Sequence, residues 1–455
     1  MSPGLKASAR LSSTALAAYG LPGLPLAAVL LPLFVYLPTF YAEDLGLGLA
    51  LVGGLLLLAR LSDVVTDPLI GVLSDRWGWP LGRRRSWMVF GVPLLLVAAY
   101  QLFQPPPDAG AFYLLGWSVA VYLGATMVQL PYSAWGAEIS GDYNERSSIS
   151  GAREAFVVAG TLLAAGLPAL FAEDRGAALT IIAWGLVGVL PLAVLLAIAL
   201  VPEGEAKVTT RIEWRRGLEL ICGNKPFRRL LAAYLLNSIA NGLPATLFLL
   251  YVGHVLGAPE WAGALLFTYF ACGVAAIPLW LRASRRWGKH RTWIAAMLVN
   301  SAVFALVPLL GAGDTGWFLA ICVVTGMALG ADLTLPASMQ ADVVDLDTLR
   351  SGRPRTGLYF ALWGIATKLA LALAVGIAFP LLESAGFSSG DSSQSSAALF
   401  ALAALYALVP VAFKLGAIAI FVGYPITAER QLRIRRLIAA RHGSAMQPPS
   451  GSPAK

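Results

Sequence analysis

Within Arg60-Leu61-Ser62-Asp63-Val64-Val65-Thr66-Asp67-Pro68, two carboxylates and a guanidinium interrupt an otherwise apolar run. At the centre of a bilayer each ionised side chain costs about 2.5 to 3.5 kcal/mol, so such groups face a cavity, an ion or a partner. Helical spacing puts Asp63 and Asp67, four apart, and Arg60, three before Asp63, on one face. Two adjacent carboxylates repel unless a cation or a proton lies between them. Reversible binding of a small cation is the chemistry this pattern predicts. A structural salt bridge to Arg60 alone leaves one acid unneutralised.

Other chemistries lack their residues. His254, His290 and His442 fall at span ends, in loops or in the tail, and no Gly-rich phosphate-cradling lysine motif occurs. Cys222, Cys272 and Cys322 are scattered without metal or disulfide spacing. The chain is therefore expected not to be an enzyme and to hold no cofactor and no metal beyond a coupling ion, Na+ or H+.

The elements that position the acids follow from composition. Of 455 residues, 58% are hydrophobic and 13% charged, and the mean hydropathy is +0.71. Soluble domains carry about 25% charged residues. The expected class is all-α integral membrane, with twelve apolar runs long enough to span, at 13–41, 48–73, 87–104, 112–135, 154–171, 178–201, 229–253, 261–281, 293–312, 317–341, 357–382 and 397–424. Continuous runs without two-residue alternation argue against a barrel. The first run, preceded by Lys6 and Arg10, is too long for a signal peptide and is expected to remain. Arg175 is the one basic residue in a loop on the far side, while Arg60, Lys368 and Lys414 lie inside spans. The remaining Lys and Arg residues share one side, which places both termini in the cytoplasm. The net charge of +8 is thus a topology signal, and the lipid bilayer, with no nucleic acid, is the expected macroscopic partner.

The chain also repeats itself. Arg76-Trp77-Gly78 opens a basic turn after the second span, and Arg286-Trp287-Gly288 opens another after the eighth. Two parallel six-helix halves, 1–201 and 229–424, joined by a cytoplasmic loop at 202–228 and followed by a basic tail at 425–455, account for this.

Four segments carry a resemblance: Ala59 to Pro68; Leu130-Pro131-Tyr132-Ser133-Ala134-Trp135-Gly136-Ala137-Glu138 with Asp142-Tyr143-Asn144-Glu145-Arg146; Ala341-Asp342-Val343-Val344-Asp345; and Gly357-Leu358-Tyr359-Phe360-Ala361-Leu362-Trp363 with Lys368. In that order they resemble the glycoside-pentoside-hexuronide:cation symporters, the melibiose-permease branch of the major facilitator superfamily, over about 15 to 430. The resemblance implies a fold of two pseudo-symmetric halves and alternating access. It implies that Asp63 and Asp67 bind the cation with Thr66 and Thr126 as neutral oxygen ligands, and that Lys368, with Arg60, couples. It also implies that Arg153 faces the sugar cavity. The segment after the tenth span is expected to be a loop, and helix five to begin near Arg153.

The implied function is cation-coupled symport of a glycoside, pentoside, hexuronide or related organic solute, by a monomer in the cell inner membrane. Ala27 and Gln129 stand where melibiose permeases carry sugar-gripping acids, and Ser133 replaces a tryptophan. Gln129, Asn237, Asn241 and Asp332 remain as groups able to bond a hydroxyl. Trp135, Tyr359 and Trp363 are candidates for stacking on a ring, with Trp363 foremost. Lys414 is expected to snorkel, without a part in transport. Loops 74–87 and 136–153 are expected to gate, through Asp75, Glu138, Asp142 and Glu145 pairing with arginines. A lysophospholipid or other amphiphile carrier of the same fold is the alternative, because an amphiphile tolerates the loss of the gripping acids.

Overall fold

The computed structural model describes residues 11–77, 81–139, 143–171, 174–203, 223–351, 356–388, 394–427, 429–431, 433–434 and 437. Among them, twelve helices are long and apolar enough to cross a membrane. They are α1 (Ser13–Val35, bent at Leu21 and Pro22), α2 (Leu49–Leu61 continued by Asp63–Arg76), α3 (Arg83–Phe103), α4 (Ala111–Glu138), α5 (Tyr143–Phe171) and α6 (Arg175–Leu200). The second set is α7 (Lys225–Leu250), α8 (Ala262–Trp287), α9 (Lys289–Phe304), α10 (Thr315–Ser351), α11 (Thr356–Ser384) and α12 (Ser396–Phe421). No strand occurs among the described residues. Helices are the expected outcome, since in lipid every backbone N–H and C=O must be satisfied within its own segment.

Helices α5 and α10 are longer than their apolar stretches. The segments expected as loops at 341–345 and 143–153 are helical, because α10 runs on to Ser351 and α5 starts at Tyr143. Hydropathy reports the lipid-crossing length, whereas the backbone stays helical beyond it where side chains become polar. Most of the loop at 202–228 and of the tail at 425–455, with Cys222, His442 and Asp142, lies outside the described residues.

The halves meet through α1 against α7, α2 against α11 and α5 against α8. Glycine makes the α2–α11 seam close. A Cβ on Gly376 would sit 2.6 Å from Leu57 Cδ2, and one on Gly53 would sit 3.0 Å from Phe379 Cβ and the Val375 carbonyl. Small residues at a helix interface let backbones approach in this way. The α2 acids are therefore pressed against the other half.

The repeat is visible in side-chain pairing. Arg83 and Arg84, which open α3, bond the Glu138 carboxylate at the end of α4, at 3.1 and 2.8 Å. Lys289, which opens α9, bonds Asp342 on α10 at 2.5 Å. Each basic turn thus fastens to an acid of its own half.

Candidate functional site

The α2 face brings the predicted charges together. Asp63 is buried, and its Oδ2 lies 3.2 Å from Arg60 Nη1 and 3.2 Å from Lys368 Nζ of α11. Lys368 Nζ also donates to both oxygens of Asp67, at 2.8 and 2.6 Å. Thr126 of α4 donates to Asp67 Oδ1 at 2.9 Å. The Arg60 guanidinium is fixed over the Tyr122 ring at 4.3 Å, with the Phe34 ring at 5.5 Å. Two positive and two negative groups balance here. A monovalent cation entering this cluster makes it net positive unless an ammonium leaves, and Lys368, on a flexible stem, is the group free to do so.

Local backbone chemistry opens this region. At Ser62 the helix tightens, the Ser62 N–H bonding the Ala59 carbonyl at 3.2 Å and the Val65 N–H bonding Ser62 at 3.0 Å. Pro68 has no N–H, so the Val64 carbonyl loses its intrahelical donor. Asp63 Oδ1 and the Thr66 hydroxyl are buried without a hydrogen-bond partner, while Asp63 Oδ2 is held by its ion pairs to Arg60 and Lys368, each at 3.2 Å. Beside them lies a cavity of about 10 Å3, lined by Arg60, Asp63, Val64, Asp67 and Lys368. That is roughly the space of one water molecule. The Asp63 and Asp67 carboxylates beside a space of that size suit a hard cation.

A second cavity, of about 370 Å3, lies on the C-terminal half and is closed on one side by Leu31, Phe34 and Val35 of α1. Its aromatic wall includes Tyr234, Phe248, Tyr269 and Phe270, and Asn237, Asn241, Asp332 and Lys414 form a polar cluster on the wall. Phe34 belongs to this wall and also flanks Arg60, so one ring separates the two sites. Residues of α11 serve both: Ile365, Lys368, Leu369 and Ala372 line the small cavity, Thr367 and Leu371 the large one.

Lys414 does not snorkel. It is 3% exposed and donates to Asn237 Oδ1 and Asn241 Oδ1, each at 2.8 Å, while Asp332 Oδ2 lies 3.7 Å away. The bilayer interface is not within its reach because its ammonium is already held by these groups inside the bundle.

Other expected residues lie elsewhere. Gln129 is exposed and lines neither cavity. Arg153, well inside α5, donates to Ser133 Oγ at 3.2 Å and to Glu154 at 2.7 Å, apart from the large cavity. Trp363 stacks on Tyr234, centroids 3.9 Å apart, and only Tyr234 reaches the cavity. Trp135 and Tyr359 are core residues. Of the expected gating acids, Glu138 bonds within its half, Asp75 and Glu145 are helical with side chains outside the described set, and Asp142 lies outside the described residues.

A contact between the halves that the sequence did not announce lies at the end of the bundle opposite the basic turns. Glu43, just beyond α1, accepts from Arg175 of α6 at 2.5 Å and lies 3.0 Å from His254 Nε2 beyond α7. Burial pushes the Glu43 carboxyl up, but the His254 hydrogen bond and the Arg175 charge outweigh it and hold the group below its ordinary value. Nearby, burial raises the Asp44 carboxyl despite Arg175. Glu383, at the end of α11, accepts from the Ala50 N–H at 2.5 Å, at the start of α2. Glu43 and His254 are 211 residues apart, and the only local signal was an acid and a histidine at span ends.

Known proteins resemble this chain along most of its length. The putative glycoside/cation symporter YagG of Escherichia coli K12 is 26% identical, over 87% of this chain and 88% of its own. The human sodium-dependent lysophosphatidylcholine symporter 1 is also 26% identical, over 86% of this chain and 79% of its own. The crystal structure of a D-xylose-proton symporter shares the fold at a TM-score of 0.64 and 14% identity, covering 91% of this chain and 97% of that one. A family profile described as MFS/sugar transport protein matches residues 18–428, and the chain belongs to that family of multi-pass membrane transporters.

Proposed function

We propose that the protein is a cation-coupled symporter, using Na+ or H+ to drive an organic solute inward across a cell inner membrane. The observation that carries this reading is Lys368 lying between Asp63 and Asp67, where a coupling cation would otherwise neutralise them. In this scheme both termini and the Arg83–Arg85 turn are cytoplasmic, and the Glu43–His254 contact is external. A cation entering through the Asp63, Thr66, Asp67 and Thr126 oxygens displaces Lys368, which loosens α11 from α2 and alters the Thr367 and Leu371 wall of the large cavity. By linkage each ligand then raises affinity for the other by the same factor. Release of the cation returns Lys368 to the acids, so the vacated acids are not left facing one another.

The solute on this reading is a glycoside, pentoside, hexuronide or related compound, supported by the amide and charged groups of the large cavity and by the family. A lysophospholipid is the second reading, favoured by the apolar α1 side of that cavity and by the name of the human relative. Uptake into proteoliposomes with an imposed Na+ or H+ gradient, and without one, tests the coupling. Accumulation indifferent to both gradients rejects it.

A further inference from the structure

We propose that the solute's main polar subsite is the C-terminal tetrad Lys414, Asp332, Asn237 and Asn241, and that it takes an uncharged, hydroxyl-bearing group such as that of a glycoside or polyol. This rests on the reading of the large cavity as the solute site and names what that cavity holds.

The tetrad is drawn from α7, α10 and α12, and its four side chains all line the cavity. A lysine ammonium has three donors and no acceptor, so it obliges both asparagines to turn their oxygens toward it. Asn241 then has its amide nitrogen free for Asp332 Oδ2, at 2.9 Å, and Trp293 Nε1 holds Asp332 Oδ1 at 2.7 Å. Asn237 turns its nitrogen away from Lys414, and that nitrogen makes no hydrogen bond among the described residues. The structure therefore fixes every orientation in the cluster.

The ion pair itself stays open. Lys414 Nζ and Asp332 Oδ2 are 3.7 Å apart, too far for a direct hydrogen bond, with Asn241 bridging them. A hydroxyl entering from the cavity can accept from Nζ and donate to Oδ2, and an adjoining oxygen can accept from Asn237 Nδ2. A tie between helices would need only one neutral hydrogen bond, whereas this cluster desolvates two charges that do not touch. Its charges cancel, so a carboxylate or phosphate brought here would be left without a counter-charge. Among the described residues lining this cavity, the N-terminal half contributes only Leu31, Phe34 and Val35, none of them polar.

The test is ligand stabilisation of the purified full-length chain at fixed Na+ and pH, without any gradient. The probes are a panel of neutral methyl glycosides and polyols, the uronic acids of the same sugars, and lysophosphatidylcholine. At least one neutral compound is expected to raise the melting temperature while its matched uronide does not. In the charge-free pair Asp332→Asn with Lys414→Gln, the neutral ligand's apparent affinity should fall at least tenfold. Asn237→Ala, which leaves the charges in place, should weaken it several-fold. Cation-induced stabilisation through Asp63 and Asp67 should be unchanged in both, which separates failure of the tetrad from failure of coupling. The proposal is overturned if no neutral compound stabilises, if uronides or lysophosphatidylcholine do so in its place, or if Asn237→Ala leaves the neutral ligand's affinity intact.

Discussion

Lys368 holds Asp67 across the boundary between the halves, its ammonium 2.6 and 2.8 Å from the two carboxylate oxygens. The same ammonium lies 3.2 Å from Asp63. One side chain of α11 thus satisfies two acids of α2, and any cation that binds them competes with it.

Asp63→Asn and Asp67→Asn are each expected to lower gradient-driven accumulation in proteoliposomes by more than tenfold. Solute exchange without a gradient should survive, since neither acid lines the large cavity. Full accumulation in both variants would remove the acids from coupling.

Lys368→Met leaves two carboxylates beside a single Arg60. Breaking one partner from a buried pair typically costs about 3 to 5 kcal/mol, so this variant should melt well below the parent at low Na+. Adding Asp67→Asn should recover much of the loss. A single variant as stable as the parent would show that the ammonium does not neutralise the acids.

The Glu43 clasp, external in the proposed orientation, has a definite pH sign. Because Glu43 is held below its ordinary value, about 4.3 for glutamate, its contribution is complete above that value and is lost as pH falls through the lowered one. Glu43→Gln removes the charge at every pH. A hydrogen bond to a charged group contributes about 1.5 kcal/mol or more, so roughly a tenfold rise in the externally open population is expected. Cys322, in the wall of the large cavity, is the native reporter. Its labelling by an impermeant external maleimide should rise in Glu43→Gln, and equal rates in both proteins would argue against a gate here.

Gly376→Leu places a branched side chain where even a Cβ meets Leu57 at 2.6 Å. The α2–α11 seam must part, carrying Lys368 from the acids. Transport should be lost while the helical signal in circular dichroism persists, and normal uptake would mean the seam tolerates the separation.

Much of this is legible in the sequence. Apolar run length identifies twelve spans, and four-residue spacing puts Asp63 and Asp67 on one face. Lys368 stands out as a charge inside a span, but its pairing with the acids and the part of Thr126 come only from family resemblance, since pairing across helices leaves no trace in local spacing. Lys414 was misread because a lysine's length permits two outcomes, and the neighbouring asparagine oxygens decide between them. The ends of α5 and α10 were missed because charge halts an apolar run without halting a helix.

Because Thr367 and Lys368 are consecutive residues of α11, a shift of that helix at one pocket is carried to the other. An ion slipping through alone would have to shift α11 against a solute wall with nothing to grip. In the proposed scheme, futile leakage of the gradient is thereby discouraged by the helix that the two pockets share.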